Sequence, residues 1–486
     1  MSVSYWLEDT GDDPAPRPPL DGSRTVDVAI VGAGFTGLWT ARELLRRDPS
    51  LEVLVLEAET AGFGASGRNG AWLTNGIGVT PGELARRTSP ETARATIEAM
   101  RDTVAAVIAS CEEDGIDAQI RRGGALRVAR GAHEAPSLQA AMGTLRRLGV
   151  ADDLSLLTAT ELTDRIRIPG AMGALHDPHA ATIHPGRLVR GLARRVEELG
   201  ATIVEGTPVV EVVPRTGGRR ATRGRGNGGR GSGQAGSGDQ QPRTSGRVRV
   251  TTPRGDVHAD AVVLACEAWL PRLRGYHRAG LPLYSLIVLT EPLPARAWEA
   301  IGWEGHELVA SHRLTVDYLS RTVDGRILLG GRGAPYHYGS QVAPAFDRHP
   351  ATHALLERHL SAWFPALDGV RVTHRWGGPL AMPRDWLPSF RFDPATGIGA
   401  AYGYTGQGVA ATNLAGRVLA DLIVHGDTPY RDLPMVGHRS RGWEPEPLRW
   451  LGARYVMTAL TRLEARVERT GRRPTGRSLG ERLARH

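Results

Sequence analysis

The sequence contains no lysine, so each of its 60 basic residues is an arginine. Because arginine stays protonated in proteins, this absence excludes Schiff-base catalysis on a lysine and a lysine general base. Cysteine is almost absent as well, with only Cys111 and Cys266 in 486 residues. Two cysteines form neither a disulfide framework nor a metal-binding set, so we predict no metal site and a reducing, cytoplasmic setting.

Long apolar runs are missing too. No stretch approaches the roughly 18 uninterrupted apolar residues that a membrane-spanning helix needs, so no membrane span is predicted. The N-terminal residues are acidic and rich in proline, and they lack the apolar core of a secretory signal. Residues 7–22 are therefore expected to form an extended leader.

The net charge of +8 and the isoelectric point near 9.9 suggest a nucleic-acid partner at first sight. The positive charge is concentrated in residues 215–246, with seven arginines and one aspartate, and in residues 464–486, with seven arginines and three glutamates. Neither segment interleaves aromatic residues as nucleic-acid grooves do, so no nucleic-acid partner is expected. Residues 215–246 also hold 11 glycines and almost no apolar residues, which predicts a disordered insertion.

The strongest indication of function in the sequence lies in the stretch from Val26 to Glu57. An apolar, β-branched run at residues 26–31 predicts a strand buried on both faces. Gly32, Gly34 and Gly37 follow it directly in the spacing G-x-G-x-x-G. In a dinucleotide-binding unit the first glycine permits the tight turn, the second lets a pyrophosphate approach the backbone, and the third lets the helix pack on the sheet.

The same unit ends on an acidic residue. After the glycines, apolar residues recur at helical spacing as far as Asp48-Pro49. A second apolar strand, residues 51–56, then leads to Glu57. A carboxylate at this place accepts hydrogen bonds from the ribose hydroxyls of an adenosine and repels a 2′-phosphate. The complete strand–turn–helix–strand–acid pattern predicts dinucleotide binding.

A second glycine-rich segment, TAGFGASGRNGAW at residues 60–72, follows the unit. Together with GAGFTG and VLEAE, its GFGASGRNG resembles the FAD-dependent D-amino acid oxidase superfamily, which includes the glycine and sarcosine oxidases and the γ-glutamylputrescine oxidoreductases. The resemblance implies that the segment lies against the pyrophosphate and flavin, with contacts from Ser66, Arg68, Asn69 and Gly70. Ala71 stands where the family usually has another glycine, and we expect only a small local change there.

Two later segments extend the resemblance. DAVVLACEAW, residues 260–269, is similar to the family's second FAD-binding strand, and we expect no covalent flavin bond at Cys266. GYTGQGV, from Gly403, is similar to a family turn whose following helix stabilises negative charge on the reduced flavin. Gln407 replaces the family's histidine. The expected cofactor contacts beyond those named above are Gly406, Gln407, Gly408, Val409, Val210 and Gly378.

Together with these patterns, the resemblance implies an α/β fold with a Rossmann-type FAD-binding domain built from discontinuous segments and an α+β substrate domain with a mostly antiparallel sheet. The FAD-binding domain is predicted at residues 20–88, 176–275 and 376–430, the substrate domain at 89–175 and 276–375, and a C-terminal helical extension at 431–486. Residues 81–114 and 138–162 have helical patterns, while residues 281–375 alternate strand patterns with turns.

The predicted function is oxidation of the carbon–nitrogen bond of an amine or amino acid by hydride transfer to N5 of non-covalently bound FAD. Candidate substrate-facing residues are Arg313, Tyr318 and Arg332, because a guanidinium binds a carboxylate and a tyrosine hydroxyl orients an amine. The electron acceptor is left open between oxygen, a quinone and a carrier protein. Two alternatives remain, FAD-dependent oxidation of a 2-hydroxy acid and a dinucleotide-binding protein without FAD.

The sequence also bears on the electron acceptor. In the sarcosine oxidases that this chain resembles, a lysine over the flavin promotes reaction with oxygen and precedes a Leu-Gly pair on a substrate-domain strand. The nearest match here, Ile327-Leu328-Leu329-Gly330, puts apolar Leu328 at that position. We therefore predict slow reaction with oxygen and a preference for another acceptor.

Overall fold

The computed structural model describes residues 3–11, 15–131, 133–215, 246–311, 317–332 and 335–472. The helices in these ranges are α1 (Tyr5–Glu8), α2 (Phe35–Arg47), α3 (Pro81–Arg87), α4 (Pro90–Glu113), α5 (Ala135–Arg147), α6 (Ala159–Thr163), α7 (Pro185–Glu198), α8 (Ala295–Ile301), α9 (Pro350–Trp363), α10 (Gly408–Val424) and α11 (Leu448–Thr470). The strands are β1 (Arg24–Val31), β2 (Val53–Leu56), β3 (Trp72–Thr74), β4 (Ala125–Ala129), β5 (Ser155–Leu157), β6 (Gly173–Asp177), β7 (Ala180–Thr182), β8 (Thr202–Val204), β9 (Glu211–Val213), β10 (Val248–Thr252), β11 (Gly255–Leu264), β12 (Leu281–Thr290), β13 (Leu308–Ser311), β14 (Asp317–Arg321), β15 (Ile327–Arg332), β16 (Val372–Met382), β17 (Ser389–Asp393) and β18 (Ile398–Tyr402).

The first sheet has the strand order β17-β18-β11-β1-β2-β8. The pairs from β18 to β8 are parallel, β17 pairs antiparallel at one edge, and the β9–β10 hairpin joins β11. β1 and β2 are buried on both faces because helices cover one side and a second apolar cluster covers the other. This sheet confirms the Rossmann-type fold.

Helices α2 and α10 lie against each other on the first sheet. A Cβ on Gly416 of α10 would lie 2.8 Å from backbone and side-chain atoms of Trp39 in α2, so this contact requires a glycine. Trp39 and Leu38 are fully buried in the same cluster. The close approach fixes the start of α10 beside the start of α2.

The second sheet has the order β16-β12-β15-β14-β13-β4-β6-β5. Its pairs are antiparallel except for β13 and β4, which confirms the prediction of a mostly antiparallel substrate sheet. Helices α8 and α9 cover one face and bury Trp303 and Trp363. Strands β3 and β7 form a separate antiparallel pair. Along the chain, each of them stands between a strand of one sheet and a strand of the other.

Strands of the first sheet all fall inside the segments predicted for the FAD-binding domain, whereas β6 and β16 of the second sheet cross predicted boundaries. The domain limits therefore stay a prediction. The helical pattern of residues 81–114 is divided into α3 and α4 because Pro90 cannot continue a helix from the preceding turn. The continuous helix suggested by residues 138–162 is wrong, since α5 ends before Gly149, which has φ of +68°, and β5 follows.

The two ends of the described chain are helical. The extended leader predicted at residues 7–22 is wrong at residues 7 and 8, which end α1, whereas residues 15–21 have neither helix nor strand. Tyr5 and Trp6 of α1 are buried, and the indole N–H of Trp6 donates to the Asn69 carbonyl at 2.8 Å. Burial of these two aromatic side chains explains α1, although no periodic pattern in the sequence predicts a helix there. Near the other end, α11 agrees with the predicted helical extension, and residues 473–486 lie outside the described residues. Within the described ranges no helix is long and apolar enough to cross a membrane.

The insertion predicted at 215–246 lies outside the described residues, apart from its two terminal positions. It connects β9 and β10, which pair directly through Val213 and Arg249. Replacing residues 216–245 by a turn of about four Gly and Ser residues is expected to leave FAD content and turnover unchanged, because short hairpin connections close easily. Flavin absorbance per protein and steady-state kinetics check this, and a large loss of either would show that the insertion contributes to the site.

Candidate active site

Four parallel strands end side by side at one edge of the first sheet. Val31, the last residue of β1, is in register with Leu56 of β2 and Leu264 of β11. Leu264 is in register with Ala400 near the end of β18. The loops that follow these strands begin at Gly32, Glu57, Ala265 and Gly403. Because ligands of open α/β sheets bind outside the carboxyl ends of the strands, we refer to this edge as the cofactor edge.

The loop after β1 leads into α2 without a side-chain cap. Gly32 has φ of +107°, a backbone conformation that favours glycine. A Cβ on Gly37 would lie 2.0 Å from the carbonyl oxygen of Gly32, so the helix packs on the turn as closely as glycine permits. Gly34 is the N-cap and offers no side chain to the first turn. The positive end of the helix dipole, beside a glycine N-cap, suits a pyrophosphate.

Ser66 and Asn69 hold the glycine-rich loop against this helix end. The Ser66 hydroxyl accepts the N–H of Phe35 at 2.8 Å, although 31 residues separate them. The Asn69 amide donates to the Ser66 carbonyl at 2.9 Å and accepts the N–H of Ala71 at 3.0 Å. Ala71 has φ of +66°, so the chain keeps the conformation that a glycine would favour. The structure thus brings this predicted loop to the cofactor edge.

Glu57 closes the second strand at the same edge. Its Oε2 accepts the N–H of Ala33 at 2.7 Å, and its Oε1 accepts the N–H of Glu59 at 3.0 Å. Burial raises the pKa of Glu57, while these two N–H groups act in the opposite direction. Each carboxylate oxygen has a further lone pair. The ionised side chain therefore keeps the capacity to accept two ribose hydroxyls.

Arg68 joins the glycine-rich loop to the second sheet. Its Nη1 lies 2.5 Å from Asp347 Oδ2 and 3.2 Å from the carbonyl oxygen of Gly377. Its Nε donates to the Phe63 carbonyl at 2.7 Å, and the residue is 4% exposed. A Cβ on Gly378 would lie 3.1 Å from Arg68 Cδ, so the glycine makes room for this side chain. These contacts are with protein, and cofactor contacts of Arg68 and Gly378 stay predictions.

The turn between β18 and α10 completes the cofactor edge. Gly406 has φ of +92°, and Gln407 is an N-cap that makes no side-chain bond to the helix. The amide oxygen of Gln407 instead accepts the Thr74 hydroxyl at 3.0 Å. The helix begins with Gly408 and the buried Val409. Like α2, α10 therefore presents uncapped N–H groups.

Glu267 belongs to this edge but is missing from the residues predicted from sequence. It follows β11 with φ of +41°, a conformation that non-glycine residues rarely adopt. Its carboxylate accepts the N–H of Gly403 at 2.9 Å and the N–H of Ala381 at 3.1 Å. It thereby ties the end of β11 to the turn after β18 and to β16. The one feature of the sequence that could have pointed to Glu267 was a charged residue shortly after a buried apolar strand.

Glu267 makes stability depend on pH. Burial raises its pKa from the ordinary 4.5 to about 7, against the effect of its backbone N–H partners. Between these values the unfolded chain releases the proton and the folded chain keeps it, so the free energy of unfolding falls as pH rises. We expect Glu267→Gln to show a smaller fall of the melting temperature from pH 4.5 to 7 than the native protein, both measured with saturating FAD. Equal slopes would contradict this assignment.

Tyr318 of β14 lies where the glycine-rich loop meets the second sheet. Its hydroxyl is 3.0 Å from the Ser285 hydroxyl. A Cβ on Gly70 would lie 2.3 Å from the Tyr318 ring, and one on Gly330 would lie 2.2 Å from it. The Trp72 ring is edge-on at 5.9 Å, and its buried indole N–H has no hydrogen-bond partner among the described residues. Ser285 is absent from the sequence predictions because it belongs to no recognised motif, whereas Trp72 ends the glycine-rich segment but has no predicted contact.

The other predicted residues have less support. Arg332 ends β15, where its backbone lies opposite Ser285, and its substrate role stays a prediction. Arg313 lies outside the described residues. Val210 has a side chain 60% exposed, and its N–H donates to the Thr251 carbonyl at 2.9 Å. These contacts do not favour a cofactor role for the Val210 side chain, which also stays a prediction.

The residues at this edge fit FAD. Two helix N-termini whose N-cap residues make no side-chain bond to the helix suit the pyrophosphate and the electron-rich flavin edge, and Glu57 suits the adenosine ribose. The loop glycines leave no space for side chains where Ser66 and Tyr318 approach. Beside this loop, the unpaired Trp72 N–H is a buried donor that a ligand would satisfy.

Comparisons with known proteins agree with this geometry. A family model described as FAD-dependent oxidoreductase matches residues 27–422. The chain is 27% identical over 430 residues to a probable oxidoreductase OrdL of Haemophilus influenzae, covering 87% of this chain and 88% of that protein. It is 29% identical over 415 residues to gamma-glutamylputrescine oxidoreductase of Escherichia coli, covering 84% and 86%. The crystal structure of glycine oxidase from Geobacillus kaustophilus matches 86% of this chain and 100% of that chain with a TM-score of 0.65 and 22% identity, a likeness of fold.

Proposed function

Since the chain belongs to the FAD-dependent oxidoreductase family, we propose that it oxidises the carbon–nitrogen bond of an amine or amino acid. The observation that carries this proposal is the meeting of the cofactor edge with the second sheet, where Tyr318 packs against Gly70 of the glycine-rich loop. The name of the Escherichia coli relative, a gamma-glutamylputrescine oxidoreductase, supports an amine substrate. Membership of this family removes the alternative of a dinucleotide-binding protein without FAD.

FAD supplies, when bound, the acceptor N5 for the hydride that leaves the substrate carbon. The chain's own residues bind and orient the cofactor. Glu57 would hold the adenosine ribose, the N-terminus of α2 the pyrophosphate, and the N-terminus of α10 the edge of the flavin that gains negative charge. Thr74 fixes the Gln407 side chain beside that turn.

On the substrate side, Tyr318 and Ser285 form a hydroxyl pair. The Ser285 hydroxyl donates to the Gly331 carbonyl at 3.3 Å and therefore accepts the Tyr318 hydroxyl, and the proposed role of the Tyr318 oxygen is to accept an N–H of the amine. No side-chain base is required if the amine arrives uncharged, because loss of hydride from the carbon of a neutral amine yields the protonated imine, which water can then deprotonate and hydrolyse. Arg332 is the proposed carboxylate partner for an amino-acid substrate.

The alternative substrate class, a 2-hydroxy acid, would require a base to accept the hydroxyl proton, and histidine is the usual choice. A neutral amine requires no such base, and the name of the Escherichia coli relative supports an amine substrate. We therefore favour the amine, and the choice is open to a direct test.

The test is an anaerobic screen of amines, amino acids and 2-hydroxy acids for loss of the visible flavin absorbance. Amines or amino acids are expected to bleach the enzyme, and bleaching by 2-hydroxy acids alone would overturn the proposal. Tyr318→Phe keeps the ring against Gly70 and removes only the hydroxyl. It should retain FAD and bleach more slowly, by about tenfold for one lost hydrogen bond of about 1.4 kcal/mol.

Non-covalent attachment of FAD is part of the proposal. Cys266 lies at the cofactor edge, but burial raises the pKa of its thiol to about 12, and burial does the same for Cys111. Because the thiolate is the reactive form, neither cysteine is suited to bond the flavin. Acid precipitation is expected to release all yellow colour into the supernatant, whereas colour in the washed pellet would show a covalent bond.

A further inference from the structure

The start of α11 is fixed firmly to the body of the protein. The Glu446 carboxylate accepts the Tyr336 hydroxyl at 2.6 Å and the N–H groups of Gly339 and Trp450, both at 3.0 Å. Arg449, which is 7% exposed, donates to Glu446 at 3.2 Å and to the His277 carbonyl at 3.1 Å. The first turns of α11 are therefore rigidly placed.

An apolar surface patch surrounds this attachment. Leu448, Leu451 and Tyr455 are 61%, 53% and 48% exposed, and their spacing puts them along one face of α11. Tyr338, 53% exposed, has its ring edge-on to Trp450 at 6.4 Å. We refer to Leu448, Leu451, Tyr455 and Tyr338 as the α11 patch. It holds half of the large exposed apolar side chains among the described residues, and such clustering marks an interaction surface.

The patch is bordered by positive charge. The Arg454 guanidinium lies over the Trp450 ring at 5.0 Å, and Arg462, Arg466 and Arg469 continue along the exposed side of α11. From residue 448 to the last residue, the sequence has ten arginines against three glutamates, a net charge of +7. Arginine beside exposed leucine and tyrosine is the composition that binds at the surface of an anionic bilayer.

We propose that the α11 patch docks on the surface of a bilayer containing anionic phospholipid. The leucines enter the boundary between headgroups and acyl chains, the two tyrosines lie at headgroup level, and the arginines contact phosphate groups. A second copy is the less favourable occupant, because pairing two such surfaces brings together the exposed arginines of both copies, Arg454, Arg462, Arg466 and Arg469. Docking of this kind needs no membrane-spanning helix.

The patch lies close to the cofactor edge. The buried cluster of Leu281, Tyr336 and Met382 packs against Trp450, and Ala381, the residue before Met382, donates its N–H to Glu267. Docking would therefore bring the cofactor edge near the lipid. If the proposed function holds, this position suits an electron acceptor dissolved in the bilayer, such as a quinone; the docking itself does not depend on the substrate.

Sedimentation of the full-length holoenzyme with vesicles tests the inference. Vesicles of phosphatidylcholine with phosphatidylglycerol are expected to carry the protein down at low salt, with weaker binding at high salt and little binding to phosphatidylcholine alone. The triple variant Leu448→Ser, Leu451→Ser, Tyr455→Ser should lower the partition coefficient by at least about tenfold. Met172→Ser, at a residue 50% exposed elsewhere, is the matched control and should bind as the native protein does.

Each result either supports or overturns the proposed docking on a bilayer. Equal binding by the triple variant and the native protein, or no binding to anionic vesicles, would overturn the proposal. A change of oligomeric state in the triple variant without a change in vesicle binding would assign the patch to a second copy instead. Flavin content and melting temperature show that each variant is folded, and no readout requires turnover, so failure of the proposed function would not be mistaken for failure of docking.

Discussion

Replacing Glu57 by arginine is expected to weaken FAD binding by about 10²- to 10⁴-fold, because two hydrogen bonds to a charged acceptor, about 1.5–3 kcal/mol each, are lost. The structure adds a second cause. Glu57 also accepts the N–H groups of Ala33 and Glu59, so the variant loosens the turn that leads into α2. Equilibrium titration of the apoprotein with FAD, followed by flavin fluorescence, measures the change.

Glu59→Arg is the matched control for this experiment. Glu59 is exposed and lies only two residues further along the chain, so the same change of charge occurs without loss of the carboxylate at the strand end. The control should bind FAD within a few-fold of the native protein, since an exposed charge contributes little. Equal affinities of the native protein and Glu57→Arg would show that the ribose is held elsewhere.

Reoxidation of the substrate-reduced enzyme is expected to be slower with oxygen than with a soluble quinone by about tenfold or more, which corresponds to at least about 1.4 kcal/mol in activation free energy. A cation near the flavin promotes the oxygen reaction by stabilising superoxide as the first electron leaves. The structure puts a fully buried leucine, Leu328, at the place of the expected lysine, in one apolar cluster with Ala71 and Trp376. Arg68, the buried arginine of the adjoining loop, is paired with Asp347.

Stopped-flow mixing of one reduced sample with air-saturated buffer and, in parallel, with anaerobic quinone measures both rates. The two arms share enzyme, substrate and temperature, so their ratio reports the acceptor alone. Reoxidation by oxygen as fast as substrate turnover would identify an oxidase and contradict the prediction.

The prediction from sequence succeeded where neighbouring residues carry the whole signal. The unit from Val26 to Glu57 is visible because a strand pattern, a glycine turn, a helix pattern and an acidic end follow each other within about thirty residues. The structure has β1, α2 and β2 in these places. Prediction was weaker for residues 138–162, where a helical pattern continued past the glycine that ends α5.

Sequence alone therefore determined the cofactor-binding unit, the two kinds of sheet and the absence of any lysine chemistry, since these depend on local pattern and composition. Tertiary structure decided which side chains meet at the site. Arg68 reaches Asp347 across 279 residues, and Thr74 reaches Gln407 across 333. Glu267 gained its two backbone partners only when β16 and the turn after β18 reached the end of β11. Such contacts leave no periodicity in the chain, because the packing of distant strands, and not the adjacent residues, sets their geometry.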